Sequence, residues 1–412
     1  MVNIPERVGR SFRKAAWSGM NMFPERLWRA RAPEWSKWGS TEANGLLPRL
    51  EGEVRLLIGP ANFAGQGNLW ARAAEMLPAV QAVSVQPRAV GPIRYEADLT
   101  VSPHMAAHSR HWAKRNLELV KDQYTHVLVE AGYPVFGAAF GNDLVSEIKD
   151  LKRAGLTVGY IAHGSDVRKP AEHAQRDPFS PFLDMDAELL RHYERKADRN
   201  LSVLESVRVP EFVSTVDLLE FCPGATWLPT LVDDHRWSTR KGRFLASPDR
   251  KRPMVLHAPS QVGVKGSAMI DAVLTKLDVE GVVEYVRVQG IPSAQMPELV
   301  GGADVVVDQI GTGAYGVASL EAMTYGRVVV AGVWPSTREL LKSEFGQELP
   351  IVEADPKTLE SVIRGLAADR GKRAQLGKRG IEFVEAVHSP QKVAEVLAPF
   401  LGVPMQPNWR DR

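Results

Sequence analysis

Cysteine is almost missing: Cys222 is the only one in 412 residues, which excludes an internal disulfide and a thiolate metal cage. No run reaches the roughly 18 apolar residues that a membrane span requires. The charged start, MVNIPERVGRSFRK, is followed by no apolar segment of the secretory kind, so the expected location is cytoplasmic. Net charge is also scarce, 51 Lys plus Arg against 49 Asp plus Glu, too little by itself to imply a nucleic-acid partner. What is present is ordinary for a globular chain, 44% hydrophobic and 24% charged, and wholesale disorder is excluded. At about 150 residues per domain, the length suits two or three domains.

The charge is unevenly placed. Residues 1–50 hold nine basic and four acidic side chains, and four of the ten tryptophans (Trp17, Trp28, Trp35, Trp38). On a helix Val8, Ser11, Phe12, Ala15 and Ala16 would share one face, flanked by Arg7, Arg10, Arg13 and Lys14. Such an arm could lie on an anionic membrane surface. Packing against the second domain, or disorder, are the competing accounts.

From Val54 onward short apolar runs alternate with amphipathic stretches. Val54–Ile58, Ala82–Val85, His126–Val129, Leu156–Ala162 and Leu201–Leu204 read as strands, with helices after Asn68 and over Asp143–Arg153. A second series runs through strand Met254–His257, helix Ser267–Leu277, strands Val282–Val288 and Asp304–Asp308, helix Val317–Tyr325 and strand Val328–Ala331. Helical patterns close the chain at Pro356–Leu366, Arg370–Val387 and Gln391–Leu401. The pattern predicts an α/β protein with two Rossmann-like doubly wound domains. The divisions fall at 1–50 (basic arm), 51–232 (first domain), 233–253 (polar linker), 254–388 (second domain) and 389–412 (closing helix and tail). Ligands of such sheets sit beyond the carboxyl ends of the strands, which directs attention to three loops and one decoy.

The first loop is ADVVVDQIGTGAYGVASLEAM, residues 303–323. Its Gly311, Gly313 and Gly316 spell a GxGxxG, but no acidic residue ends the next strand, so a dinucleotide fingerprint is incomplete. Its amides at a helix start suit an anion. Glu321 is the only charged residue from Gln309 to Gly326; a carboxylate so placed needs donors, which two ribose hydroxyls would supply, unless it merely occupies a narrow solvent stripe. The second loop, HAPSQVGVKGS, carries Lys265 just before a helix, placed for a leaving phosphate or an ordinary loop lysine. The third is His163-Gly164-Ser165-Asp166-Val167-Arg168 after a strand, able to polarise a hydroxyl or simply to hold its own loop. His104, His108 and His111 would align on one continuous helix as zinc ligands. No carboxylate stands at the HExxH position, and a solvated helix start explains them better, so no metal is expected.

In order along the chain, GPANFAGQGN, HGSD, WLPTLVDD, HAPS…VKGS, ADVVVDQ…GAYGVASLEAM and LGKRGIEFVEAVHSP resemble the motifs of the GT-B glycosyltransferases, in particular the large retaining group numbered family four. The resemblance covers about Leu57 to Leu401. It implies two domains facing a cleft, with a last helix crossing back to the first. It also implies transfer of a sugar from a nucleotide-sugar co-substrate to a glycan, glycolipid or protein acceptor, with retention and without metal or other cofactor. By the resemblance Glu321 would hold the ribose, Lys265 the diphosphate, and Gly313, Ala314, Tyr315 and Gly316 the phosphates or sugar. Gly65 and Gly67 would line the cleft from the other side, and His163 would face sugar and acceptor; with it, Asp166 of the same strand-end motif is expected as a catalytic group. The family's arginine five residues before the lysine is Ser260 here, and its first glutamate is Gly313, with Asp308-Gln309 upstream as substitutes. Those departures keep a non-catalytic nucleotide- or glycan-binding protein open as an alternative. An epimerase or sugar-phosphate synthase, and a transferase acting on modified DNA bases, are the remaining readings.

Overall fold

The computed structural model describes residues 45–89, 94–233, 237, 250–259 and 266–404. The basic arm, apart from its last residues, and most of the linker lie outside the described residues, as do Ser260 and Lys265.

Two parallel sheets carry the chain. The first orders its strands β3-β2-β1-β4-β5-β6-β7, and the second β12-β11-β10-β8-β9. In the first, β1 (Val54–Gly59) pairs with β2 (Val80–Pro87) on one side and β4 (His126–Glu130) on the other, all parallel. Strands β3 (Leu99–Val101), β5 (Thr157–Ala162), β6 (Glu211–Val213) and β7 (Thr226–Trp227) complete it. In the second, β8 (Met254–His257) lies between β9 (Glu284–Arg287) and β10 (Val305–Val307). Strands β11 (Val328–Ala331) and β12 (Val352–Glu353) follow. The strand order reverses between β1 and β4 and again between β8 and β10. Crevices open at such reversals, so the sites are expected beside Gly59, Glu130, His257 and Asp308.

Buried strands explain the apolar runs. Leu56 and Ile58 point to one face of the first sheet, where helix α1 (Gln66–Ala74) packs, and Leu57 points to the other. The closing helix, Pro390–Leu401, returns to the first sheet: Val393, Ala394, Leu397 and Leu401 share a core with Leu56, Trp70 and Leu128. Each fully buried Leu or Val there contributes about 1.5–3 kcal/mol, so the crossing ties the closing helix firmly to the first sheet.

Several sequence expectations are corrected. Leu201–Leu204 is not a strand but part of a long helix, Ala187–Val207, capped by Asp186. Its buried residues Ala197, Asn200, Leu204 and Val207 follow the helical period, which a four-residue apolar window cannot reveal. Helix α1 starts at Gln66 behind Gly65, so Asn68 lies inside it rather than at its cap. The histidine helix breaks at Ser109, which accepts from Trp112 N–H and separates Pro103–His108 from Arg110–Gln123. Among the described residues no group of three His, Cys, Asp or Glu could hold a metal ion. Within the polar linker Trp237 is 1% exposed, and its carbonyl accepts from the Tyr325 hydroxyl at 3.0 Å. No described helix is long and apolar enough to cross a membrane.

Candidate functional site

Glu130 ends β4 at the first strand-order reversal and is fully buried. Its Oε2 accepts from the backbone N–H of Asn62, 2.9 Å away, in the loop after β1. Asn62 in turn accepts the N–H of Asn68 and donates to Gln86 and to the Glu96 carbonyl. The other carboxylate oxygen, Oε1, is 3.2 Å from His163 Nε2, without the alignment of a hydrogen bond, and neither atom has a hydrogen-bond partner among the described residues. Buried polar atoms are nearly always satisfied; an unmet pair at a topological switch point is where a ligand's hydroxyl finds partners. Gly67 makes the approach possible, since a methyl group there would stand 3.2 Å from both carboxylate oxygens. The imidazole is held by the edge of Phe63 at 5.3 Å and by Trp70 at 5.5 Å.

Asp166 has a different job from the one expected. Its carboxylate accepts the N–H groups of His163 at 3.0 Å and Gly164 at 2.7 Å, and the Tyr160 hydroxyl at 3.4 Å. It is 2% exposed, and with these bonds it folds the HGSD turn that aims His163. Arg168, from the same motif, pairs with the buried Asp217.

Across from this wall stands Glu321, on helix α9 (Val317–Thr324) of the second sheet. It lines a narrow crevice together with Ala64, Gly65, Asn68, Leu69 and Val317. The half-buried acid therefore lies beside the loop of the first sheet, and Gly65, two residues before the glycine that touches Glu130, lines the same crevice.

The glycine loop is another matter. Gly313 has φ +72°, and a methyl there would come 2.2 Å from the Trp334 indole; one on Gly311, at φ +89°, would strike the Phe179 carbonyl at 2.1 Å. These glycines exist because protein packs on them. The segment around 170–182 clasps the loop: His173 Nε2 donates to the Thr312 carbonyl at 3.1 Å, and Trp334 Nε1 donates to Asp177 at 3.0 Å. Ala314 is buried, its carbonyl accepting from Gln309 at 2.6 Å. The Tyr315 ring points away, its hydroxyl donating to His388 Nε2 at 3.0 Å, while His388 Nδ1 donates to the Thr230 carbonyl at 2.8 Å. Burial holds that imidazole neutral, lowering its pKa to about 4. The Cβ side of Gly313, the Ala314 carbonyl and the Tyr315 hydroxyl are thus engaged by internal packing. Asp308 accepts from Ser319 at 2.7 Å, bracing β10 against α9. Gly316, extended and partly exposed at the start of α9, is the member of the GAYG turn that remains at the crevice. His257 is also structural, bridging the Val307 carbonyl and Ser267.

Glu130 was missed by the sequence reading, although it directly follows the apolar run of β4. An acid at the end of a buried strand was the available signal.

No family model matches this chain, and no curated protein does. Among solved structures it is similar to an alpha-glucosyltransferase in complex with UDP and a 13-mer DNA containing a HMU base. Identity is 13%, coverage 85% of this chain and 100% of that one, and the TM-score 0.53. It is also similar to the catalytic domain of starch synthase IV from Arabidopsis thaliana bound to ADP and acarbose, at 10% identity, 85% and 100% coverage and TM-score 0.52. The match to TarM from S. aureus, at 12% identity and TM-score 0.48, covers 71% of this chain and 59% of that one. This chain thus spans less than two thirds of that protein's length. At these identities the likeness defines an architecture: two parallel α/β sheets arranged as in the GT-B glycosyltransferases.

Proposed function

We propose that the protein is a metal-independent glycosyltransferase that moves a sugar from a nucleotide-sugar with retention of configuration. One observation carries the reading. Glu321, from the second sheet, lines a crevice whose far side is Ala64, Gly65 and Asn68, and the same loop and helix start pack through Asn62, Phe63 and Gly67 on the unsatisfied carboxylate–imidazole pair of the first sheet, Glu130 and His163. In this reading the first lobe takes the acceptor and the second the donor. Glu321 accepts two ribose hydroxyls, a charge-assisted pair of bonds that fixes the nucleoside. The start of α9 at Gly316, with Lys265 contributing its ammonium, receives the diphosphate.

Transfer then needs only positioning and charge stabilisation. The acceptor oxygen bonds the anomeric carbon while the bond from that carbon to the diphosphate oxygen breaks with its electron pair. The acceptor's proton passes to the departing diphosphate. Glu130 and His163 hold the hydroxyls nearest the reacting carbon, and Asp166 positions His163 through the turn it closes.

The test is calorimetric titration with UDP, ADP and GDP of the wild-type protein and of Glu321→Ala. One nucleotide should bind the wild type, and the substitution should weaken it by about a hundredfold at an unchanged melting temperature. Equal affinity in the two proteins would remove Glu321 from the site and the reading with it.

A further inference from the structure

Beside the crevice lies a larger cavity, about 650 Å³, at the carboxyl ends of β1, β2 and β4. It meets the Glu321 crevice at Ala64 and Tyr95, which line both. Rings dominate its wall: Pro60, Phe63, Pro87, Pro103, Tyr133 and Pro134. Phe63 is 46% exposed while its edge touches His163, so one ring serves both the cavity and the candidate site.

The polar side chains of the wall decide what can enter. Asn62 gives its amide to Gln86 Oε1 and the Glu96 carbonyl, each at 2.8 Å, and its oxygen to Asn68 N–H at 3.0 Å. Gln86 gives its amide to the Tyr95 carbonyl at 2.8 Å and Thr100 at 3.3 Å. These amides satisfy one another and present little to a guest. Of the remaining residues with polar side-chain atoms, Arg88, Asn142 and Tyr133 are solvent-exposed and Tyr95 is half-buried. A saccharide buried here would leave hydroxyls without partners, at about 1–3 kcal/mol each. A flat or alicyclic carbon skeleton would lose nothing and would bury its surface against rings. The volume is that of a compact organic molecule.

We propose that this cavity holds the body of the acceptor, and that the acceptor is a small, apolar, ring-bearing alcohol or phenol rather than a glycan chain. The proposal rests on the transferase reading and narrows it. Bound there, the acceptor directs its hydroxyl past Phe63 toward His163 and Glu130. That oxygen takes the anomeric carbon, the carbon–diphosphate bond breaks, and the proton leaves on the nucleoside diphosphate.

Fluorescence titration of the full chain with 7-hydroxy-4-methylcoumarin tests this, alongside nucleotide titration of the same samples. The coumarin should bind saturably. Ala107→Trp, which fills the cavity from an exposed helix position, should weaken it by about tenfold, and Tyr133→Ala, which removes an exposed ring, by about threefold. Both variants should keep wild-type nucleotide affinity, and excess maltotriose should not displace the probe. Absent coumarin binding with nucleotide binding intact overturns the proposal. So do unchanged coumarin binding in both variants, and displacement by maltotriose, by duplex DNA or by phospholipid vesicles. Variant-sensitive coumarin binding in a protein that takes none of the nucleotides overturns the transferase reading beneath it.

Discussion

The two sheets that meet at the crevice have been finished to different degrees. On the first sheet, the Glu130–His163 pair is fully built and aimed, yet each residue has an atom without a hydrogen bond. On the second, the loop from Gly311 to Tyr315 is buried by the protein itself, under Trp334, Phe179, His173 and His388. The lesson is that glycines beside a helix start do not by themselves mark an anion site. A close approach needs a partner, and here most of the partners are side chains and carbonyls of the same chain.

The sharpest way to break that contrast is Gly313→Ala. With φ +72° and 2.2 Å to the indole, the methyl must displace Trp334 from its bond to Asp177, and denaturant unfolding should record a loss of about 3 kcal/mol. Were Gly313 held open for a ligand instead, stability would stay within about 0.5 kcal/mol and only nucleotide binding would suffer. On the first sheet the effects should be reversed. Glu130→Gln keeps the shape and the acceptor for Asn62 N–H, so stability should change by less than about 1 kcal/mol while turnover falls about a hundredfold. A large loss of stability with normal turnover would make Glu130 a structural residue.

Smaller effects sharpen the same comparison. His388, folded neutral with a pKa of about 4 against an ordinary 6.5, binds fewer protons folded than unfolded across that interval. Its contribution is therefore complete above about pH 6.5 and declines as pH falls toward 4, by up to about 1.4 kcal/mol per unit. Stability measured from pH 7 to 4 should lose that part of its slope in His388→Asn; an unchanged slope would place the imidazole in water. Last, Asp166→Asn removes one acceptor of the HGSD turn. It should cost about 1 kcal/mol and lower turnover through a displaced His163, with a pH–rate profile of unaltered shape. A shifted limb in that profile would return Asp166 to the reacting atoms.

Much of the architecture was legible because buried parallel strands are continuous apolar runs. Val328–Ala331 and Met254–His257 were read with the bounds they have, and the returning C-terminal helix was foreseen. The Leu201–Leu204 error came from a window shorter than one helical turn pair, within a 21-residue helix whose buried residues run from Ala197 to Val207. Glu321 and His163 were legible as polar residues at strand ends and helix starts. Glu130 was not, since only the strand order puts it beside the loop after β1, and strand order is a long-range property. For the same reason the packing of Phe179 and Trp334 on the glycine loop could not be read: those contacts join residues more than a hundred positions apart (Phe179 to Gly311) or sit across a strand (Trp334 to Gly313).

Release of nucleoside diphosphate from a panel of nucleotide-sugars, followed in the wild type, Glu130→Gln and Glu321→Ala, goes straight to the arrangement of the two sheets. The wild type should turn over one donor, Glu130→Gln should bind it with undiminished affinity and release almost nothing, and Glu321→Ala should bind it about a hundredfold more weakly. Wild-type release by Glu130→Gln, or wild-type donor affinity in Glu321→Ala, would contradict the account.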